Sequence, residues 1–384
     1  MRTGRPANEH QQPSDHDLIL RLRHMSAIAV LTSGGDAPGM NAAIRAVTKV
    51  AASRGVSVWG VEMGYDGLID GNFRPLTRLN AKNKNLTPVG DVEAMGSLGG
   101  TVLGSSRSPR FHTREGRAQA VAQLNSYSVE GLIVIGGNGS LAGAHVLAQE
   151  SSIPVVGIPA SIDNDIGLSR EALGVDTALN TIIDACDRIT DTARSHHRAF
   201  IVEVMGRQSG YLAMAAAVAT AADGVLLPEH RRNREEVVKA VIECIVESFG
   251  QARDKTRVLI LKAEGVDITT HELLDEVEKV VPPDIEVRST VLGHLVRGGN
   301  ASFRDRLLAG RFGLVAVEAV LSGVTDRMVG WNHTEAGDPT SDSWIRLFPI
   351  ADVLEETTAL LDGTSSVTMD RVRRMEAIQG VLSL

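Results

Sequence analysis

Residues 27–45 have the sequence AIAVLTSGGDAPGMNAAIR, in which three local patterns follow one another. The first six residues are apolar or β-branched and predict a strand over 27–32. The turn at 34–39 contains three glycines, and apolar residues then recur at helical spacing over 41–52. A strand, a glycine turn and a helix in immediate succession are typical of one unit of a parallel α/β sheet.

The same succession recurs along the chain. Further strands are predicted over 56–61, 131–136, 153–158, 199–204, 257–261, 286–292 and 345–349. A strongly periodic helix over 176–194 separates two groups of these units, and the polar stretch 332–343 is expected to be a surface insertion. The pattern indicates an α/β protein built from doubly wound parallel sheets.

Composition excludes several classes of protein. The chain has 384 residues and a net charge of −8, which provides no basic footprint for nucleic acid. The longest nearly apolar run, 212–222, is shorter than the roughly 20 residues of a bilayer-spanning helix, so no membrane span is expected. Cys186 and Cys244 lie in no metal or disulfide pattern. Residues 1–25 contain no secretory signal and are predicted to be a mobile N-terminal extension.

Two glycine loops and one acidic loop follow predicted strands. Glycines at 34–39 and 137–139 would let the backbone approach an anion, although a simple strand-to-helix turn would explain each loop equally well. The loop 161–165, Ser-Ile-Asp-Asn-Asp, places two carboxylates two residues apart. Such a pair suits a base and a metal contact in phosphoryl transfer, while an Asx-rich turn is the structural alternative.

Arginines accumulate near turns and strand ends of this acidic chain. They are Arg107, Arg198, Arg207, Arg288 and Arg297. Because the planar guanidinium group suits phosphate oxygens, their positions indicate sites for phosphate-bearing ligands.

The stretch 31–45 closely resembles the opening loop of the 6-phosphofructokinase family of bacterial type. Similar landmarks are Gly-Gly-Asn-Gly-Ser at 136–140, the stretch 158–165, Val-Glu-Val-Met-Gly-Arg at 202–207, and the segment 291–299. The motifs occur in the family's order, and the resemblance covers residues 27–326. It implies transfer of a phosphoryl group to the 1-hydroxyl of fructose 6-phosphate, which gives fructose 1,6-bisphosphate in glycolysis.

The resemblance also implies individual roles. Asp163 would be the base that takes the sugar hydroxyl proton, and Ser161, Gly34 and Arg207 would act beside the transferring group. Residues implied in binding the phosphoryl donor are Gly34, Arg107, Ser108, Gly137, Asn138, Gly139 and Ser140, with Asn138 and Asp165 near Mg²⁺. Residues implied in binding fructose 6-phosphate are Ser161, Asp163, Arg198, Met205, Gly206, Arg207, Glu264, Arg288, His294 and Arg297.

Domain organisation follows from the same resemblance. Residues 26–174 and 296–344 are expected to form a donor-binding lobe, residues 175–295 and 345–384 a sugar-phosphate-binding lobe, and the active site is expected in the cleft between them. In the family, Arg198 and Arg288 would reach a neighbouring active site, which implies a homo-oligomer, either a dimer or a tetramer.

Regulation and location are implied as well. Arg45, Lys49, Arg253 and Lys255 resemble basic residues of the family's effector site and imply an allosteric enzyme, with ordinary surface charge as the alternative. A glycolytic enzyme of this kind would be cytoplasmic.

The sequence departs from the family at the donor loop. Asn138 stands where the family normally has an aspartate near Mg²⁺, and a neutral amide should lower the affinity for the metal. Members that use pyrophosphate usually carry Asp and Lys at the positions of Gly139 and Ala160. Because both residues are small here, the donor loop has room for a nucleoside triphosphate, and we expect ATP rather than pyrophosphate.

Other functions stay open at this point. A pyrophosphate-dependent kinase, a kinase for another ketose phosphate such as a heptulose phosphate, and a non-catalytic regulatory paralogue would all preserve most of these motifs. A dinucleotide-dependent oxidoreductase is disfavoured because no complete GxGxxG follows a strand.

Overall fold

Two large β-sheets and one two-stranded sheet are present in the described part of the polypeptide. The computed structural model describes residues 26–83, 85–250, 255–332 and 336–382. The predicted N-terminal extension at 1–25 and the effector-site prediction for Arg253 lie outside these residues.

The strands are β1 (Ala27–Ser33), β2 (Ser57–Val61), β3 (Phe73–Pro75), β4 (Thr77–Leu79), β5 (Leu86–Pro88), β6 (Val129–Gly136), β7 (Val155–Pro159), β8 (Ala199–Val204), β9 (Gly224–Leu226), β10 (Val258–Ala263), β11 (Val287–Val291), β12 (Arg327–Trp331) and β13 (Ile345–Pro349).

The helices are α1 (Met40–Ser53), α2 (Gly64–Asp70), α3 (Gly90–Met95), α4 (Arg114–Ser126), α5 (Asn138–Glu150), α6 (Val175–His196), α7 (Tyr211–Ala219), α8 (Arg234–Phe249), α9 (Thr270–Glu278), α10 (Phe303–Leu321), α11 (Ile350–Leu361) and α12 (Ser366–Leu382). Short 3₁₀ helices occupy Arg110–His112, Pro228–His230 and Gly293–Arg297.

The large lobe is built on a seven-stranded sheet with the order β13-β12-β7-β6-β1-β2-β3. Its five central strands are parallel, and the edge strands β3 and β13 run antiparallel to their neighbours. All seven residues of β1 are buried, as expected for a parallel strand covered on both faces. The carboxyl ends of the parallel strands therefore meet at one edge.

The small lobe contains a wholly parallel four-stranded sheet with the order β11-β8-β10-β9. Strand β10 is buried along its entire length, and the partners β8 and β9 flank it. The two sheets confirm the predicted α/β fold of two parallel-sheet lobes. The ends of β8, β10 and β11 carry the loops that begin at Met205, Glu264 and Leu292.

Most predicted elements occur within one or two residues of their expected limits, including β1, β8 and α6. The helix after the second glycine loop begins at Asn138, directly after Gly137. Its first turn is closed by the Gly137 carbonyl, which accepts from the amides of both Ser140 and Leu141. Asn138 therefore lies in the first turn of a helix and not in a free loop.

The lobe assignment of residues 345–384 is corrected in part. Strand β13 lies in the large sheet, where residues 345–349 pair with β12 in antiparallel register. Helix α11 packs against α5 of the same lobe, and only α12 packs against α7 of the small lobe. Residues 345–349 stay in the large lobe because they cover β12, which would otherwise be an unpaired edge strand.

Asp305, in the first turn of α10, connects that helix to the beginning of α6 by hydrogen bonds. Its carboxylate accepts hydrogen bonds from the Gly174 amide at 2.8 Å and from the Thr177 amide at 2.9 Å. The Thr177 hydroxyl donates to the same group at 2.5 Å, and Asp305 is fully buried. One carboxylate thus satisfies backbone donors at the start of the long helix α6.

We expect Asp305→Ala to lower the free energy of unfolding by about 2–4 kcal/mol, because it leaves buried donors without an acceptor. Urea unfolding checks this value. The matched control Asp187→Ala removes an exposed carboxylate from α6 and should change stability by less than about 0.5 kcal/mol. Equal effects of the two substitutions would contradict the assigned role.

Candidate active site

The turn after β1, which begins at Gly34, contacts Arg297 from the loop at the carboxyl end of the small sheet. Gly34 has a φ of +84°, a backbone conformation that favours glycine, and its carbonyl accepts from the Ser105 hydroxyl at 2.5 Å. Arg297 donates from Nη1 to the Asp36 carbonyl at 3.2 Å. The Gly34 turn and Arg297 are therefore brought together across the cleft between the lobes.

Asp163 lies in the loop after β7 and is only 6% exposed. Its amide donates to the Ser161 hydroxyl at 3.3 Å, whereas its buried Oδ1 accepts no hydrogen bond from the described residues. Burial, reinforced by the charge of Asp165, raises the pKa of Asp163 to about 6, against the opposing effect of Arg297. A carboxylate with a free oxygen and this pKa can accept a proton near neutral pH.

Asp165 is held by side chains on both of its oxygens. The Ser161 hydroxyl donates to Oδ1 at 3.1 Å, and the Asn138 amide donates to Oδ2 at 2.8 Å. Burial raises the pKa of Asp165, and these hydrogen bonds oppose that effect. Within the described residues, no cluster of three His, Cys, Asp or Glu side chains is arranged to hold a metal ion.

Thr357 of α11 completes this group, and the sequence analysis did not identify it. Its hydroxyl donates to the side-chain amide oxygen Oδ1 of Asn138 at 3.3 Å and accepts from the Gly167 backbone amide at 2.9 Å. Asn138 therefore bridges the Asp165 loop and α11. No sequence motif could have indicated Thr357, because it lies 219 residues from Asn138.

The second glycine loop forms the amino end of α5. Gly137 precedes the helix, and Asn138, Gly139 and Ser140 form its first turn. A Cβ atom placed on Gly139 would meet no heavy atom within 4 Å, so the space beside this residue is open. The free amides of a helix amino terminus favour an anionic group in that space.

The turn that contains Arg207 follows β8 and has an unusual backbone. Gly206 has a φ of +152°, and Arg207 has a φ of +54°, which is uncommon for a residue with a side chain. The Glu264 carboxylate at the end of β10 accepts from the amides of Gly206 at 3.2 Å and of Arg207 at 2.6 Å. One oxygen of Glu264 thus supports the turn, and Met205 is half-buried beside it.

Several charged side chains of these loops influence the pKa of Asp163. Arg297 and Arg207 both lower the pKa of Asp163, and Glu264 raises it, so all three residues lie within electrostatic range. His294 is exposed in the 3₁₀ helix that also contains Arg297. The structure therefore gathers Asp163, Asp165, Arg207, Glu264 and Arg297 from loops at the carboxyl ends of strands in both sheets.

Arg198 and Arg288 are not part of that group. Both donate to the Glu286 carboxylate, which sequence reasoning did not single out. Arg198 immediately precedes β8 and Arg288 is the second residue of β11, so they lie at the amino ends of these strands. The carboxyl ends, with Met205 and His294, face the other way.

Two predicted donor residues differ in their surroundings. Arg107 is exposed in the loop before the first 3₁₀ helix. Ser108 is buried, donates to Asp66 at 2.5 Å and accepts from the Phe111 amide at 3.2 Å, so its hydroxyl is already engaged within the large lobe.

Three of the predicted effector residues lie in the described part of the chain, and all three are engaged in ion pairs. Arg45 and Lys49 both pair with Glu93, and Lys255 pairs with the buried Asp223 at 2.8 Å.

Comparisons with known proteins agree with this architecture. The family whose sequence model matches residues 27–320 is described as Phosphofructokinase. The ATP-dependent 6-phosphofructokinase of Thermotoga neapolitana is 47% identical over 305 residues, which cover 79% of this chain and 89% of that protein. That of Oceanobacillus iheyensis is 44% identical over 318 residues, which cover 83% of this chain and 93% of that protein.

A solved structure of phosphofructokinase from Saccharomyces cerevisiae matches 91% of this chain with a TM-score of 0.77 and 31% identity. This chain spans 48% of that longer protein. The family match over most of the chain, the identity to the bacterial relatives and the shared fold lead to one conclusion: the chain belongs to the phosphofructokinase family.

Proposed function

We propose that this protein transfers the terminal phosphoryl group of ATP to the 1-hydroxyl of fructose 6-phosphate. The products are fructose 1,6-bisphosphate and ADP, and the reaction is a step of glycolysis. The observation that carries the proposal is the buried Oδ1 of Asp163, which accepts no hydrogen bond within the described part of the chain and lies beside the charges of Arg207 and Arg297.

The chemistry assigned to Asp163 is general-base catalysis. Its Oδ1 takes the proton of the sugar hydroxyl while the hydroxyl oxygen forms a bond to the terminal phosphorus of ATP. The bond between that phosphorus and the bridging oxygen breaks, and the electron pair leaves with ADP. Arg207 would neutralise charge on the transferring group, since phosphoryl transfer depends mainly on positioning and charge neutralisation.

Donor binding is assigned to both glycine loops. The Gly34 turn and the helix amino terminus at 137–140 present backbone amides, and the open space beside Gly139 supports the placement of donor phosphates there. The bacterial relatives named above are ATP-dependent, which supports ATP as the donor. Arg107, exposed at the same side of the large lobe, would contact donor phosphates; a role for Ser108 would be confined to its backbone.

Mg²⁺ would bind with the donor. The oxygens of Asp165 suit a hard cation that takes most of its ligands from phosphates and water. When bound, the metal would supply charge neutralisation on the donor phosphates. Asn138 contributes an amide and no negative charge, so the protein part of this metal site would be weak.

The acceptor site is assigned to the small lobe. Arg297 and His294 would hold the 6-phosphate, Met205 would pack against the sugar, and Glu264 would accept from sugar hydroxyls with the oxygen that does not support the Arg207 turn. The guanidinium groups of Arg198 and Arg288 lie away from Asp163 on the same chain. This separation supports a homo-oligomer in which the two arginines complete a neighbouring site.

A cytoplasmic location and allosteric regulation complete the proposal. Among the residues that the structure describes, no helix is long and apolar enough to cross a bilayer.

The first experiment is a coupled assay of fructose 1,6-bisphosphate formation with fructose 6-phosphate, Mg²⁺ and either ATP or pyrophosphate. We expect turnover with ATP alone. Turnover with pyrophosphate but not with ATP would overturn the donor assignment. If no product formed with ATP or with pyrophosphate, the proposed function would be overturned.

Asp163→Asn should lower kcat by about 10²–10⁴-fold, because it removes the general base without changing the size of the side chain. In the wild-type protein, kcat/KM should fall as the pH drops through about 6, since only ionised Asp163 accepts the proton. The substrate phosphate titrates in the same range, so the measurement is the difference between the pH profiles of the two proteins. Identical profiles would contradict the assignment.

Asn138→Asp should strengthen the apparent Mg²⁺ dependence and raise kcat. The new carboxylate would stand where the amide now contacts Asp165, and two carboxylates attract a divalent cation more strongly than one. Mg²⁺ titrations of kcat check this expectation. Asn138→Ala is the control, because it removes the amide without adding charge; an unchanged Mg²⁺ dependence in Asn138→Asp would contradict the account.

A further inference from the structure

The Arg207 turn is held at both of its ends by carboxylates. Glu264 accepts from the amides of Gly206 and Arg207 at the beginning of the turn. At its end, the Gly210 amide donates to Oε1 of Glu229 at 2.7 Å. Because Arg207 has a left-handed backbone, the turn depends on such anchors to keep its conformation.

Glu229 is an unusual anchor because its charge is poorly solvated. Its Oε2 is buried and accepts no hydrogen bond from the described residues. The side chain also packs directly against the Gly210 backbone, so that a Cβ on Gly210 would collide with Oε2. Burial raises the pKa of Glu229. An ionised carboxylate in these surroundings requires a nearby positive charge.

Arg371 of α12 is in position to supply that charge. It is half-buried and lines the same cavity as Glu229, Gly210 and Asp165. Its positive charge lowers the pKa of Glu229 against the effect of burial. Its guanidinium carbon lies 4.8 Å from the centre of the Tyr211 ring, directly after the turn. The packing of α12 against α7 brings Arg371 to this place.

We propose that Arg371 is a positioning residue: from the last helix it balances the charge of Glu229, and Glu229 fixes the turn that presents Arg207. The inference rests on the function proposed above for Arg207. It makes α12 a part of the active-site support, although no residue of α12 is assigned to substrate.

The experiment compares Arg371→Met, Glu229→Gln and the double variant by steady-state kinetics. Arg371→Met should lower kcat about tenfold, because small displacements of a catalytic group are costly. Its KM for ATP should change by less than about threefold, because the donor loops are in the other lobe. Glu229→Gln keeps an acceptor oxygen for Gly210 without the charge, so the double variant should recover to the kcat of Glu229→Gln.

Hydrogen exchange of the amides at 206–210 provides a readout that does not depend on activity. Exchange should be about tenfold faster in Arg371→Met and return to the wild-type rate in the double variant. If the wild-type protein had no kinase activity while exchange followed this pattern, the proposed function would fail and the positioning role would stand.

Two further variants separate positioning from general stability. Arg371→Lys keeps the charge and should retain most of the wild-type kcat. Arg373→Met removes the next arginine of α12, which is exposed and paired with Asp370, and should change neither kcat nor exchange. If Arg371→Met cannot be purified in a folded state, the comparison is made between Arg371→Lys and the double variant. The proposal would be overturned by a double variant as slow as Arg371→Met. In the comparison with Arg371→Lys, it would be overturned by a double variant that is at least tenfold slower than Arg371→Lys.

Discussion

The burial of two carboxyl groups in one loop, Asp163 and Asp165, is the constraint on which the site depends. Removing a carboxylate from water is costly unless hydrogen bonds or opposite charges compensate it. Asp165 obtains hydrogen bonds from Ser161 and Asn138, whereas Oδ1 of Asp163 receives none from the residues that the structure describes. The arginines of the facing lobe lower the cost for Asp163 without contacting its oxygen, so it remains able to accept a proton.

The fold was predictable because its signals are local. Buried parallel strands have continuous apolar sequences, which are visible in 27–32 and 131–136, and the turn after β1 uses glycine at a positive φ, which is visible at Gly34. The resemblance to the 6-phosphofructokinase family implied Asp163, Glu264 and Arg297 as parts of one site, and they meet because loops at the carboxyl ends of parallel strands lie close together. The antiparallel edge strand β13 was predicted as a strand but not in its sheet, since pairing leaves no mark on a strand's own sequence.

The supporting contacts could not be predicted. Thr357 contacts Asn138, which lies 219 positions away in the sequence. Arg198 and Arg288 both donate to Glu286, a residue of a type that is common on protein surfaces. Arg371 belongs to a helix with no recognisable motif, and its relation to Glu229 exists only because α12 returns to the small lobe. Such contacts depend on how elements pack, and residue type alone does not encode their partners. The motif residues identify the chemistry, whereas these partners determine its geometry.

The path of the chain has a consequence for motion between the lobes. In the described part of the chain, the polypeptide passes from the large lobe to the small one before α6, returns before α10, and passes again between α11 and α12. Two lobes joined by a single polypeptide connection can rotate apart, whereas three connections at different places permit only small rotations. The cleft should therefore close on its substrates by a slight twist, and cleavage of a single connection should leave the lobes associated.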